Sequence, residues 1–221
     1  SRVSRGTLDL RPERVEVAAI VRQAVETLTP AIEAARHRLT VTLPPAPVLL
    51  HADPVRLAQV LGNLLNNACK YSDPGASIAL TVAVERGEVV VAVADTGIGI
   101  AAEMLPRIFD MFSQVDRSLE RSQGGLGIGL TLVKRIVELH AGSVVVASAG
   151  IGQGSEFVVR LPVLVDGEDR AATEAPAAPA APVSSAPLRI LVVDDNRDAA
   201  ESLAMLLDVV GNVTCLLYTS P

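Results

Sequence analysis

Gln59-Val-Leu-Gly-Asn-Leu-Leu-Asn-Asn-Ala-Cys-Lys-Tyr71 is the stretch on which the fold turns. At about 100° of rotation per residue, Leu57, Val60, Leu61, Leu64 and Ala68 form one apolar stripe of a helix. Asn63, Asn67 and Lys70 gather on a neighbouring arc, because spacings of three, four and seven residues share a helical face. A neutral amide can hold a hydrated Mg²⁺ through its carbonyl oxygen, and an ammonium can face phosphate. A solvated face would accept the same residues. Upstream, Asp53-Pro54 is a helix start, with Asp as the N-cap and Pro at the first helical position.

Two glycine-rich segments follow. Asp95-Thr-Gly-Ile-Gly99 sits at a strand end, where a carboxylate can accept a hydrogen bond from the exocyclic amine of adenine and glycine lets backbone approach a planar ring. A tight turn favours the same residue types. Gly124-Gly-Leu-Gly-Ile-Gly129 immediately precedes a helix, where free amides and the positive end of the helix dipole attract anions. It is neither a P-loop, since no Gly-Lys-Ser/Thr follows, nor a dinucleotide fingerprint, since it ends a long segment instead of following a first strand. A hinge is the alternative use of these glycines, compatible with phosphate binding. Ile108-Phe-Asp-Met-Phe112 carries two of the three phenylalanines, read as anchors of a lid or as plain core.

The remaining elements follow from periodicity. Residues 15–36 read as a helix on a stripe of Val17, Ile20, Val21, Ala24 and Leu28. Residues 38–43 and 48–51 read as strands, and residues 78–84 and 88–94 as a hairpin about Arg86-Gly87. From about residue 101 to 127 no strong period survives, which is long enough to suggest a functional lid. Residues 130–140 are helical, closed by Ala141-Gly142, so His140 is read as a cap or surface residue. Residues 143–147 and 156–161 complete a sheet. Residues 166–187 alternate Ala and Pro with little to bury and read as a disordered linker.

Of 221 residues 49% are apolar and only 2% aromatic, so a core is feasible but must be built from Val, Leu, Ile and Ala. A net charge of −6 argues against a nucleic-acid surface. No run approaches the roughly 18–20 apolar residues of a membrane span. Cys69 and Cys215 show no framework or metal spacing, and His37, His51 and His140 are scattered. The expected location is the cytoplasm, with a membrane anchor left open for a full-length parent.

Together these segments resemble the ATP-binding catalytic domain of sensor histidine kinases, within the wider ATPase group of gyrase, Hsp90 and MutL. Gln59 to Tyr71 is similar to the asparagine box, Asp95 to Gly99 to the first glycine box, Phe109 to Phe112 to the phenylalanine box, and Gly124 to Gly129 to the second glycine box. Gly152-Gln-Gly-Ser-Glu-Phe157 resembles the final glycine-containing strand entry. The resemblance covers residues 15–165 and implies a two-layer α/β sandwich with ATP and Mg²⁺ between the helical layer and a lid. It implies that Asn67 ligates Mg²⁺, with Asn63 supporting the metal or the phosphates. Lys70 and Tyr71 line the phosphate and nucleotide side, and Asp95 binds the adenine amine. Gly97, Gly99, Ile100, Gly125, Leu126, Gly127, Gly129 and Ser155 complete the nucleotide contacts. The hydrolytic relatives usually carry Glu where Asn63 stands; an amide cannot activate water as a base, which favours transfer over hydrolysis.

Residues 1–14 resemble the end of a dimerisation and phosphoacceptor helix, whose acceptor histidine lies upstream in that family. None of the three histidines has the expected setting, so the acceptor is expected outside this chain. Leu188-Arg-Ile-Leu-Val-Val-Asp-Asp195 resembles the opening of a response-regulator receiver, a doubly wound fold, with Asp194 and Asp195 as Mg²⁺ ligands. Residues 188–221 are then a truncated receiver of one strand, residues 188–193, and one helix, residues 197–210, too little to close a sheet. Cys215 to Pro221 resembles translated adapter sequence and is expected not to be native. The implied function is a protein-histidine kinase of a two-component phosphorelay, part of a hybrid sensor kinase. Its partners are a dimerisation domain, which makes the parent a homodimer, and receiver or phosphotransfer domains. The alternatives are an ATP-hydrolysing clamp ATPase and a non-catalytic nucleotide-binding scaffold.

Overall fold

The computed structural model describes residues 10–110, 129–164, 188–193 and 213–218. Residues 10–164 form one compact unit, and the two strands beyond residue 187 belong to another. In the larger unit, β1 (Glu13–Glu16) leads directly into α1 (Val17–Ala34), followed by β2 (Arg38–Thr42), β3 (Leu49–Ala52) and α2 (Pro54–Lys70). The hairpin of β4 (Ser77–Glu85) and β5 (Glu88–Asp95) comes next, then a short 3₁₀ turn at Leu105–Arg107. After residues 111–128 the chain continues as α3 (Gly129–Leu139), β6 (Ser143–Ala147) and β7 (Ser155–Pro162).

The main sheet has the strand order β2-β4-β5-β7-β6, and β1 and β3 form a separate two-stranded ladder. Within the main sheet, among the described residues, β2 and β4 alone pair in parallel; the β4–β5, β5–β7 and β6–β7 ladders are antiparallel. The alternation of β4 places Ile78, Leu80 and Val82 in the core and leaves Thr81 exposed. Val89, Val91 and Val93 of the central strand, with Phe157, Val159 and Leu161 of β7, extend that buried face. The helices cover it with Val17, Ile20, Val21 and Ala24 of α1, Leu57, Val60, Leu61, Leu64, Leu65 and Ala68 of α2, and Leu132, Val133, Ile136 and Val137 of α3. This is the two-layer α/β sandwich expected from the sequence, with a mixed sheet. The Arg86-Gly87 turn has φ of 51° and 81°, the type I′ geometry that matches strand twist.

Three readings change. The helix expected from residue 15 begins at Val17, because Glu13–Glu16 pairs antiparallel with β3 from Glu13↔Ala52 to Glu16↔Leu49. Of the two readings of His140 the structure keeps the cap, directly after α3, and drops the surface: it is 8% exposed, and its ring ties α3 to α2. In the second unit, β8 (Leu188–Val193) pairs in parallel with β9 (Val213–Tyr218), a strand where the sequence suggested none. Parallel neighbours need a crossover connection; the helix expected at residues 197–210 lies outside the described residues, as do the linker and residues 1–9.

Candidate nucleotide-binding site

The end of α2 and the loop after β5 meet. Tyr71, the C-cap of α2, donates its N–H to the Asn67 carbonyl, and its own carbonyl accepts from Ile98 N at 2.9 Å. Gly97 fits into this junction because it lacks a side chain. A Cβ there would strike the Tyr71 carbonyl and lie 2.6 Å from Ser72 Oγ and 2.8 Å from Asp95 Oδ1. Gly99 adopts φ of +69°, and a Cβ on it would strike the Gly150 carbonyl. The loop therefore uses its glycines against the protein's own backbone, a tighter reason than the approach to a ring that the sequence suggested.

Asp95 is the last residue of β5, paired with Ser155, the first of β7. Its Oδ1 accepts from Gly97 N at 2.8 Å, and its Oδ2 accepts from Ser155 Oγ at 2.6 Å. Strand pairing thus brings together Asp95, Gly97 and Ser155, three residues singled out in the sequence. Each carboxylate oxygen has a second lone pair, so the held group can still accept from a ligand N–H.

On α2, Asn63, Asn67 and Lys70 are half-buried. Asn63 Nδ2 is buried without a partner among the described residues, and Asn63 Oδ1 lies 3.7 Å from where a Cβ on Gly129 would stand. The start of α3 therefore sits over the asparagine face, and the amide has unspent hydrogen-bonding capacity there. Lys70 Nζ lies 5.1 Å from the centre of the Tyr71 ring, a cation–π arrangement that keeps the ammonium near the helix end. Phe109 packs edge-on against Phe157, with ring centres 6.4 Å apart and planes at 87°, and Thr131 Oγ1 donates to the Phe109 carbonyl. Phe109 thus anchors the segment entering the expected lid. Phe112, Gly124, Gly125, Leu126, Gly127, Asp194 and Asp195 lie outside the described residues.

Behind the site, Asp53 caps α2 through Oδ1, which accepts from Arg56 N, while Oδ2 accepts from Arg11 N at 2.9 Å. Asp53 N donates to His140 Nε2 at 3.0 Å, and His140 Nδ1 donates to the Ile136 carbonyl at 2.8 Å. This pattern assigns the neutral Nδ1–H tautomer. Burial raises the Asp53 carboxyl, but the Arg11 and Arg56 amides and the Arg56 charge outweigh it and hold it below its ordinary value of 3.8. Burial pushes the Cys69 thiol up, as for a packing residue. Sequence reasoning missed Ser72, which is 5% exposed with its Oγ unpartnered among the described residues. It also missed Ser148, which lies at the end of a Val-rich strand and signals its role only through position.

The family described as histidine kinase-, DNA gyrase B-, and HSP90-like ATPase matches residues 52–165. The circadian input-output histidine kinase CikA of Synechococcus elongatus is 36% identical over 166 residues, which is 74% of this chain and 21% of that protein. The sensor histidine kinase AtsR of Burkholderia thailandensis is 32% identical over 206 residues, 91% of this chain and 34% of that protein. The crystal structure of full-length ShkA in complex with AMPPNP aligns with a TM-score of 0.61 at 27% identity, over 96% of this chain and 42% of that one. The chain thus spans about a fifth to a third of the curated relatives' length. Among the described residues, no helix is long and apolar enough to cross a membrane.

Proposed function

We propose, since this chain belongs to the histidine kinase-, DNA gyrase B- and HSP90-like ATPase family, that it is the ATP-binding catalytic part of a hybrid sensor histidine kinase. It passes the γ-phosphoryl group of ATP to a histidine on a separate dimerisation and phosphoacceptor domain. The observation that carries this reading is Asp95. Its carboxylate is fixed at a strand end by Gly97 N and Ser155 Oγ, beside the helix that presents Asn63, Asn67 and Lys70.

In this reading Asp95 accepts the adenine amine, Ile100 and the glycines shape the base pocket, and Tyr71 covers the nucleotide. Lys70, with Gly125, Leu126, Gly127 and Gly129, surrounds the phosphates. The Asn63 Nδ2, a donor without a partner among the described residues, fits a phosphate oxygen, while Asn67 would hold Mg²⁺ through its amide oxygen, and Mg²⁺ would supply charge neutralisation on the phosphates. In this reading the ion would arrive with the nucleotide, bound to its phosphates. Asn63 cannot act as a base toward water, which favours transfer over hydrolysis. Two of the chain's three histidines are poor acceptors by burial: His37 and His140 are each 8% exposed, with His37 Nε2 on the Cys69 carbonyl, whereas His51 is exposed and is set aside only by its sequence setting. The parallel β8–β9 pair, with two acids directly after β8, supports a receiver beginning at residue 188, in which Asp194 and Asp195 would hold Mg²⁺.

Radiolabelled ATP with Mg²⁺ tests this. The chain alone should remain unlabelled, and an added dimerisation domain should gain acid-labile, alkali-stable label. Label mapping to His37, His51 or His140 would overturn the placement of the acceptor, and rapid phosphate release without transfer would favour a clamp ATPase.

A further inference from the structure

One hydroxyl outside the nucleotide contacts laces the base-binding loop to the strand that carries Ser155. Ser148 follows β6 and is half-buried. Its Oγ accepts from Ile100 N at 3.0 Å and from Gly150 N at 3.3 Å, donates to the Gly154 carbonyl at 2.7 Å, and lies 3.3 Å from the Gly150 carbonyl. A hydroxyl has one proton and two lone pairs, so this side chain is fully engaged, with its proton on the shorter contact. The three backbone points it joins are the end of the Asp95–Ile100 loop, the turn after β6, and the residue preceding Ser155. Backbone contacts run alongside: Gly152 N donates to the Ile98 carbonyl at 2.7 Å, and Gly154 N to the Gly97 carbonyl at 3.1 Å. A Cβ on Gly154 would strike the Asp95 carbonyl.

We propose that Ser148 is a positioning residue that sets adenine selectivity by fixing Asp95 and Ile100 against Ser155 without touching the nucleotide. The inference rests on the reading of Asp95 as the adenine acceptor. Adenine presents an amine where guanine presents a carbonyl, so a carboxylate held in place accepts from the first and repels the second. A carboxylate on a slack loop can swing aside or recruit water. Discrimination then falls, while phosphate binding on α2 and at the start of α3 is left as it was.

The test titrates ATP and GTP, each with Mg²⁺, into the full 221-residue chain and its variants. Ser148→Ala should bind ATP about tenfold more weakly, the scale of one lost hydrogen bond, with GTP affinity unchanged, so the ATP preference shrinks by the same factor. Ser148→Thr keeps the hydroxyl and should restore the preference. Ser148→Cys, close in size but a weak acceptor, is read like the alanine variant and replaces it if that fails to fold. Equal losses for both nucleotides would show a merely structural role and overturn the proposal, as would an unchanged ratio. A wild-type chain with no ATP preference would remove the Asp95 reading itself, and this inference with it, before any variant is measured.

Discussion

Both carboxylate oxygens of Asp95 carry a hydrogen bond within the protein itself, one from Gly97 N and one from Ser155 Oγ. The group is thus pre-oriented, and little ordering remains to be done when a base enters. Asp95→Asn replaces one acceptor oxygen by a donor that faces either Gly97 N–H, Ser155 O–H or the ligand amine. A charge-assisted hydrogen bond contributes about 1.5–3 kcal/mol, so ATP affinity should fall about ten- to a hundredfold by calorimetry. Unchanged affinity for ATP would remove Asp95 from the site. The sequence singled this residue out through Asp-x-Gly at a strand end, a pattern that a tight turn favours as well. The reason for Gly97 was not legible there. It depends on the Tyr71 carbonyl, a neighbour far away in the chain that only the packing of α2 against β5 brings close.

At the scale of elements, two helices end in the same unusual way. α1 closes with Arg36 N donating to Glu33 O and His37 N to Ile32 O; after α3, Ala141 N donates to Glu138 O and Gly142 N to Val137 O. Both are Schellman motifs whose left-handed residue is not glycine: Arg36 has φ of 55°, as does Ala141. Gly142 is needed for a different reason, since a Cβ there would strike the Arg160 carbonyl. Ala141→Gly relieves the left-handed strain and should stabilise the unit by about 1 kcal/mol, raising Tm by roughly 2–4 °C in a thermal melt. The N-terminus of α2 gives a pH dependence. Because the folded Asp53 carboxyl lies below its ordinary value of 3.8, its contribution is complete above that value. It is lost as pH falls through the lower folded value. Asp53→Ala should therefore cost about 1–2 kcal/mol at neutral pH and flatten the acid limb of a stability-versus-pH curve. An acid limb identical to wild type would show that the cap contributes nothing. The cap itself was readable from Asp-Pro. The strand before α1 was not, because Glu13-Arg-Val-Glu16 has no strand signal of its own and owes its form to the ladder with β3.

At the scale of the whole molecule, the segments were legible in order but their assembly was not. Nothing in residues 38–42 announces that they pair in parallel with β4 across an intervening helix, or that β7 inserts between β5 and β6. Those choices follow from which faces must be buried together, and such a constraint has no local signature. That order also leaves β6 at the margin of the sheet, bonded on one side to β7 and among the described residues to nothing on the other. Val145, 55% exposed, projects from the middle of this five-residue strand. A margin of open amides and carbonyls beside an apolar side chain is a template for a foreign strand. Adhesion between chains in concentrated solutions is therefore expected along this strand, which carries none of the residues assigned to the nucleotide. Val145→Lys should lower light scattering in such solutions and leave ATP affinity as it was, whereas scattering that persists would mean the chains adhere through some other surface.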